Sequence, residues 1–538
     1  MNQTARSHSA TGAALARGTF FNAIAFLASL LRGIFTFLVA RLLGGAALGT
    51  FGLAWATTDL VSKLGIFGLD TSAIAFVARA EAAGDRARSR RVMEASLAIA
   101  LGASTLLAAG GFWFAATMGP RFGQRQELAR AISVMLLALP GIALYRVSNA
   151  LSRGMAVMHH DIYSRGLTES LGTAAALLLV LALGSRALAP EIAAIGGTLA
   201  SGLVAFSLAR PLFAAARGAG RKSQRDLPAL VRASSPIAVY DLLNLGVMEI
   251  DVIMLGLFVG RARGVTLETL GIYAAAVEAA GGIRKVSQAF VPIFTPIVAR
   301  QIASGHIRDA EASYGYLARW MLAVLLPVVA VFALAGGAIM TIFGEAFRQG
   351  AQWTAIVAVA CALNAFVGLG ETILMIERPK LNLINSSIAF ASAVVLNLTL
   401  IPIFGPLGAA IAMLVPYTLQ GLLRGVEISW IFEWRWPWRA LVKPWLAASA
   451  ELPFALAVRL MTRGTIVEVA SAVVYLAAYA GAWLVIGIDP SDREVLAHLF
   501  GRGEDPVDSD PQLRPQTLTP NSDPELRPQT PRTPRRTG

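Results

Sequence analysis

Long apolar runs, separated by short polar or basic stretches, fill the chain from residue 19 to residue 488. About 20 mostly apolar residues carry a helix across a bilayer. Fourteen segments meet that pattern: 19–41, 47–69, 93–117, 130–157, 163–184, 190–213, 232–259, 266–298, 317–343, 350–375, 381–403, 406–428, 440–460 and 465–488. Several are longer than a membrane is thick, so they tilt or continue past it. The runs are continuous and lack the two-residue alternation of barrel strands. Open strand edges leave backbone groups unpaired in lipid, so every segment is predicted to be a helix. Met1–Arg17 is polar and basic. The run that follows is too long for a signal-peptide core and has no small-residue cleavage site, so it is expected to stay as the first span.

The pattern divides the chain. Residues 1–18 form a polar N-terminus and 19–216 hold spans 1–6. A strongly basic stretch, 217–231, links them to spans 7–12 at 232–430. Spans 13 and 14 occupy 431–490, and 491–538 is a Pro-rich tail. Two six-helix bundles plus a helix pair is the expected architecture, and bundle repeats of this kind place a substrate site at their interface. The tail carries a near-repeat, Ser509–Thr517 and Ser522–Thr530, with few large apolar residues. Such a composition buries no core and is expected to be disordered, either inert or partner-binding.

Composition narrows the class. Of 538 residues, 56% are hydrophobic and 15% charged, against about 25% charged in soluble domains. A water-soluble chain of this length could not cover its apolar surface. The reading is therefore an all-α polytopic membrane protein, and the lipid bilayer is its first partner. Cys361 is alone, so no internal disulfide forms. The net charge of +13 raises nucleic acid as a partner, but its distribution argues against that. With the N-terminus inside, one set of alternate loops holds Arg79, Arg86, Arg88, Arg90, Arg91, the 217–232 bases, Arg300, Arg308, Arg378, Lys380, Arg424, Arg435 and Lys443. The other set holds fewer bases, among them Arg41, Arg121, Arg186, Arg261 and Arg348. That asymmetry places both termini in the cytoplasm, and Trp430, Trp434, Trp436, Trp438 and Trp445 form an interfacial belt on the same side.

Catalytic signatures are missing. No phosphate-binding GxxxxGK[ST] occurs, and Gly44–Gly45 and Gly281–Gly282 lack a strand-to-helix context. His159 and His160 are adjacent, so on a helix they point apart; no metal site and no cofactor are expected. No loop between spans is long enough for a soluble catalytic domain, so an enzyme is not expected.

What remains is charge inside the membrane, which costs about 2.5–3.5 kcal/mol per residue on insertion scales and marks cavities or ion pairs. Arg32 lies in span 1, and Asp59 and Lys63 lie four apart in span 2, where they could pair. Arg146 and Asn149 follow the Pro140–Gly141 pair in span 4, and Glu169 is in span 5. In span 7, Asp241, Asn244, Met248 and Asp251 share one helix stripe, with Glu249 beside it. Span 8 adds Glu278, Arg284, Lys285 and Gln288; span 10 adds Asn364 and Glu371. Either the span 7 acids neutralise the span 8 bases, or these groups line an aqueous cavity between the bundles. In the second case the bases Arg32, Arg146, Arg284 and Lys285 would bind an anionic substrate group. Asp59, Asp241, Asn244, Asp251, Glu278 and Glu371 would line the cavity or couple transport to a proton or cation.

Several stretches resemble a known family. They are Arg32-Gly-Ile-Phe-Thr-Phe-Leu-Val-Ala-Arg-Leu-Leu-Gly44, Leu48-Gly-Thr-Phe-Gly-Leu-Ala54, Gly68-Leu-Asp-Thr71, Phe343-Gly-Glu-Ala-Phe347, Glu377-Arg-Pro-Lys380, Asn397 and Gly405-Pro-Leu-Gly-Ala-Ala410. Together they resemble the bacterial polysaccharide transporters of the MOP superfamily of flippases and exporters, over about residues 15–490. The resemblance implies a V-shaped, two-bundle fold like that of the multidrug and toxin (MATE) exporters, working by alternating access. It implies that a lipid-linked oligosaccharide moves from the cytoplasmic to the periplasmic leaflet of the inner membrane. A basic central cavity would suit its pyrophosphate, and a polysaccharide polymerase and chain-length regulator would be neighbours. A lipid II flippase and a cation-coupled multidrug exporter are alternatives within the superfamily. A membrane polymerase or ligase, or a scaffold acting through the tail, are alternatives outside it.

Overall fold

The computed structural model describes the backbone of residues 3–118, 126–216, 226–435, 438–461 and 464–487, with most side chains from Gly33 onward. Among these residues there are helices and turns and no strands. Met1–Ala482 forms one compact unit; of the second, Trp483–Gly538, the π-helical turn Trp483–Gly487 is described.

A helix answers each of the fourteen apolar runs. Gln3–Ile66 is one stretch of helical hydrogen bonding interrupted at Gly44, whose φ of 85° and ψ of 179° are open to glycine. It therefore holds α1 (before Gly44) and α2 (after it). The helix reaches back to Gln3, so the predicted polar N-terminus is helical in backbone. A short helix, Leu69–Ala82, follows the left-handed Gly68. Then come α3 (Arg86–Met118), α4 (Gln126–Gly154), α5 (His159–Ala182), α6 (Ala189–Ala209) and α7 (Asp226–Phe258). Helix α8 (267–303) starts at a capping box in which Thr266 Oγ1 accepts from Thr269 N. Helices α9 (Ile307–Thr341), α10 (Ala351–Glu377), α11 (Pro379–Phe404), α12 (Pro406–Phe432), α13 (Trp438–Met461) and α14 (Thr465–Ala482) complete the order. Pro190, Pro379 and Pro406 stand in first turns, where their missing N–H costs nothing.

Several predicted spans are not uniform helices. A 3₁₀ turn at Leu136–Ala138 interrupts α4 just before Pro140, which has no N–H to continue the ladder. Residues Ile162–Glu169 of α5 are π-helical. Another 3₁₀ turn, Gly282–Arg284, splits α8, so the single span predicted at 266–298 is two α segments. Eleven helical stretches among the described residues are long and apolar enough to cross a membrane, residues 33–82 (the end of α1, α2 and the short helix) counting as one. Helices α7 and α8 are not among them, because the charges from Asp241 to Lys285 interrupt their apolar runs. Part of the predicted basic linker (217–225) and the tail 491–538 lie outside the described residues.

Along the chain, α1–α6 make a first half and α7–α12 a second, packed as one unit and joined by an extensive α2–α8 seam. In the first, α4 packs on α6 and on the short helix; in the second, α12 packs on α10 and α11. Each half has an apolar core, but the cores interleave. Ile272, Ala275 and Ala276 of α8 lie in the first, and Leu53 and Ala56 of α2 in the second. Without a hydrophobic drive between helices in lipid, close approach of small residues holds such seams. Gly45 of α2 faces Glu268 of α8, Gly49 faces Leu267 and Gly271, and Gly52 faces Ala274; a Cβ on Gly271 would strike the Gly45 carbonyl oxygen. The halves also meet at the opposite, arginine-rich end. There Ser72 Oγ lies 2.6 Å from Ser234 Oγ, and a Cβ on Gly68 would sit 2.7 Å from the Ser234 carbonyl.

The last helix pair is tied to α9. That helix breaks at Ala335 (φ −113°, ψ 18°), which frees the N–H of Ala338. Glu468, in the first turn of α14, accepts it at 2.6 Å and also accepts from Arg348 Nη2 at 2.6 Å. Gly337 leaves room for that carboxylate. The final carbonyls of α9 are capped from the first half, where Arg41 donates to Ile342 O at 2.8 Å and Thr341 O at 3.0 Å.

Candidate functional site

The interior charges gather where α2, α4 and α7 meet. Asp59 and Lys63 do not pair with each other. Arg146 of α4 donates to Asp59. Lys63 Nζ lies 3.0 Å from Asp70 Oδ2 and 3.1 Å from Asp241 Oδ2. The reason is local. The left-handed residues Phe67 and Gly68 join α2 to the short helix, whose first turn carries Asp70 within reach of the long Lys63 stem. Asp59 is then left for the guanidinium arriving from α4. These side chains keep 13–21% of their surface exposed. Three carboxylates face two bases here, so Lys63 and Arg146 are neutralised rather than free.

A second group lies within the second half. Tyr240 donates to Glu371, whose other oxygen lies 3.1 Å from Arg424 Nη1. Asn382 Nδ2 donates to the Glu371 carbonyl at 2.9 Å. Arg424 was expected in a cytoplasmic loop; it is instead buried on α12, with a side chain 3% exposed. Its spacing from Tyr417 and Gln420, both buried, is the helical signal that a loop assignment overlooks.

The span 7 stripe does not line one surface. Asp241 turns to the first half. Asn244 Oδ1 accepts from Ser386 of α11 at 3.0 Å. Asp251 is 1% exposed and is satisfied by the Tyr273 hydroxyl at 2.5 Å and the Val252 N–H at 2.8 Å. Helix α7 touches α2, α8 and α11, so neighbouring positions of one stripe meet different partners. Arg284 ends the 3₁₀ turn in α8. Its electrostatic neighbours are Cys361, Tyr417, Glu249 and Asp251, all of the second half, and its Nη1 is buried without a hydrogen-bond partner. Glu278 neighbours Glu249, and Lys285 is half-buried at the next position. The Arg32 side chain lies outside the described residues. Asp70, Tyr240, Tyr273 and Arg424 are polar partners that the sequence reading did not assign to the site. Asp70 lies in the resembling motif Gly68–Thr71, and the others are visible only once helices are placed together. In the first half, Asn149 donates to Asp161 at 2.8 Å and His160 Nδ1 lies 2.9 Å from Ser152 Oγ, which ties α4 to α5.

Two packed helical halves with a helix pair and an ion cluster between them define a multi-pass membrane protein with the fold of the MOP-superfamily transporters. The fold is similar to that of a lipid II flippase, MurJ, in an inward closed conformation, with a TM-score of 0.66 and 11% identity over 90% of this chain and 100% of that one. It is also similar to a multidrug resistance MATE family transporter of the MOP superfamily in its inward-facing conformation (0.61, 17%, 76% and 96%). A eukaryotic MATE transporter is a further likeness (0.52, 14%, 80% and 96%). No curated protein matches by sequence. The family model described as polysaccharide biosynthesis protein matches residues 15–298, more than half of the chain. The chain belongs to that family.

Proposed function

We propose that the protein turns a lipid-linked oligosaccharide, carried on undecaprenyl pyrophosphate, from the cytoplasmic to the periplasmic leaflet of a bacterial inner membrane. Transport is by alternating access of residues 19–216 against 232–430, joined by the linker 217–231, with 431–490 carried on the second bundle. Both termini are cytoplasmic, at the arginine-rich end. The product supplies exopolysaccharide, capsule or O-antigen assembly, where a polymerase and chain-length regulator act next.

The observation that carries this reading is the partly exposed ion cluster where α2, α4 and α7 meet. Diphosphate oxygens accept the same charge-assisted hydrogen bonds that the carboxylates of Asp59, Asp70 and Asp241 accept. A head group can therefore replace a carboxylate without leaving a base unpaired. In this reading Arg32, Arg146, Arg284 and Lys285 supply positive charge to the cargo, with Lys63 added. Asp59, Asp241, Asn244, Glu278 and Glu371 hold those bases or couple to a cation, and Asp251 positions α8 through Tyr273.

The test is the leaflet distribution of undecaprenyl-linked oligosaccharides in a strain lacking the protein. Accumulation on the cytoplasmic side with loss of polymer is expected. The excess of acids over bases in the cluster favours a second reading, a cation-coupled exporter. Linked sugars that still reach the periplasm while drug sensitivity rises would establish it. Arrest of cell-wall synthesis with polymer intact would point to lipid II as cargo.

A further inference from the structure

We propose that Lys63 is a latch between the halves, and that the diphosphate of the cargo opens it. This rests on the flippase reading above. The ammonium of Lys63 is held by Asp70 of its own half and Asp241 of the other. Around this point the halves touch through small neutral groups, Gly68 against α7 and Ser72 against Ser234. The charge of one lysine thus joins two carboxylates that lie within about 3 Å of the same nitrogen. Without it, Asp70 and Asp241 repel across the seam.

The latch is reachable. Lys63 and Asp241 keep 14% and 21% of their side-chain surface exposed, whereas Arg424 is sealed at 3%. An ammonium has three donors and two are used here, so an anion can take the third before it displaces a carboxylate. A diphosphate arriving from the arginine-rich end would draw Lys63 from Asp241 and leave the two acids opposed. The halves then part at that end, and the sugar follows its head group inside. An empty transporter stays shut. Lys63 acts here as a positioning residue: it converts head-group binding into movement of α7 away from α2.

The Ser72–Ser234 contact gives the readout. In a Cys361→Ala background, Ser72→Cys with Ser234→Cys forms a disulfide when this end is closed. The full chain in nanodiscs is oxidised with and without geranylgeranyl diphosphate, and separately with inorganic pyrophosphate. Probe binding is measured in parallel by calorimetry. The lipid diphosphate is expected to slow cross-linking by at least about fivefold, the lower end of usual coupling between sites. Lys63→Gln and Asp241→Asn are expected to cross-link slowly from the start and to ignore the probe. The exchange Lys63→Asp with Asp241→Lys restores the same charges and is expected to restore fast cross-linking, which separates the latch from a folding defect. A response to inorganic pyrophosphate as well would make the head group alone the trigger; a response confined to the isoprenyl form would require the lipid. Binding without any change in cross-linking overturns the latch and leaves the flippase reading intact. No binding of either diphosphate overturns both.

Discussion

Replacing Arg146 by glutamine leaves Asp59, 13% exposed, as a carboxylate without its ionic partner. Removing one partner of a buried ion pair costs about 3–5 kcal/mol. The residual water access of both side chains puts the loss near the lower end, about 3 kcal/mol. Asp59→Asn strands the guanidinium and has a similar effect. The double variant Asp59→Asn/Arg146→Gln carries no charge and keeps a neutral hydrogen bond, so it costs about 1 kcal/mol. The cycle therefore has a coupling of about 5 kcal/mol, above the few tenths expected of independent sites. Unfolding in nanodiscs measures it. Additive losses would refute the inference that this pair holds α2 to α4. Export then distinguishes packing from cargo binding. A guanidinium that also meets the diphosphate contributes about 1.5–3 kcal/mol, so the stable double variant should bind cargo roughly ten- to a hundredfold more weakly. Full export by that variant would make the pair purely structural.

Other expectations follow from the packing. Gly271→Ala places a methyl on the Gly45 carbonyl and should cost about 1–3 kcal/mol as the α2–α8 seam widens; an unchanged melting temperature would deny that approach. Glu468→Ala orphans the Ala338 N–H and Arg348 and should lose about 1–3 kcal/mol, with Glu468→Gln losing less. A melting curve identical to that of the wild type would show that α14 does not brace α9. Truncation after Gly501 removes none of the described helices and should leave polymer output unchanged; loss of output with normal membrane levels would make the repeated tail functional.

The helices were legible because lipid imposes a length and a composition that few other environments share. Their internal breaks were not. The turns at 136–138 and 282–284 depend on how Pro140 and Arg284 are accommodated by neighbours, and hydropathy averages over both. The charged residues announced themselves by their cost, yet their partners did not. Asp59 and Lys63 have the right spacing to pair, but Arg146 and Asp70 are brought in by α4 and by the turn at Gly68. Asp251 looked like one member of a polar stripe, and Tyr273, 22 residues away, satisfies it. Arg424 was assigned to a loop because its run ends nearby, while α12 carries it inward to Glu371. Periodicity sets the direction of a side chain on its own helix; assembly decides what it meets.

The brace on α9 has a consequence for the order in which the protein is made. Ala338 waits for Glu468, 130 residues further along the chain. At roughly 5–20 residues per second, the ribosome needs on the order of ten seconds to supply it. Through that interval the broken turn of α9 is already in or near the membrane with a bare amide. The nascent protein is therefore expected to be most open to quality-control proteases until α14 inserts. A ribosome that stalls between α9 and α14 should yield a product that is degraded rather than a shortened transporter.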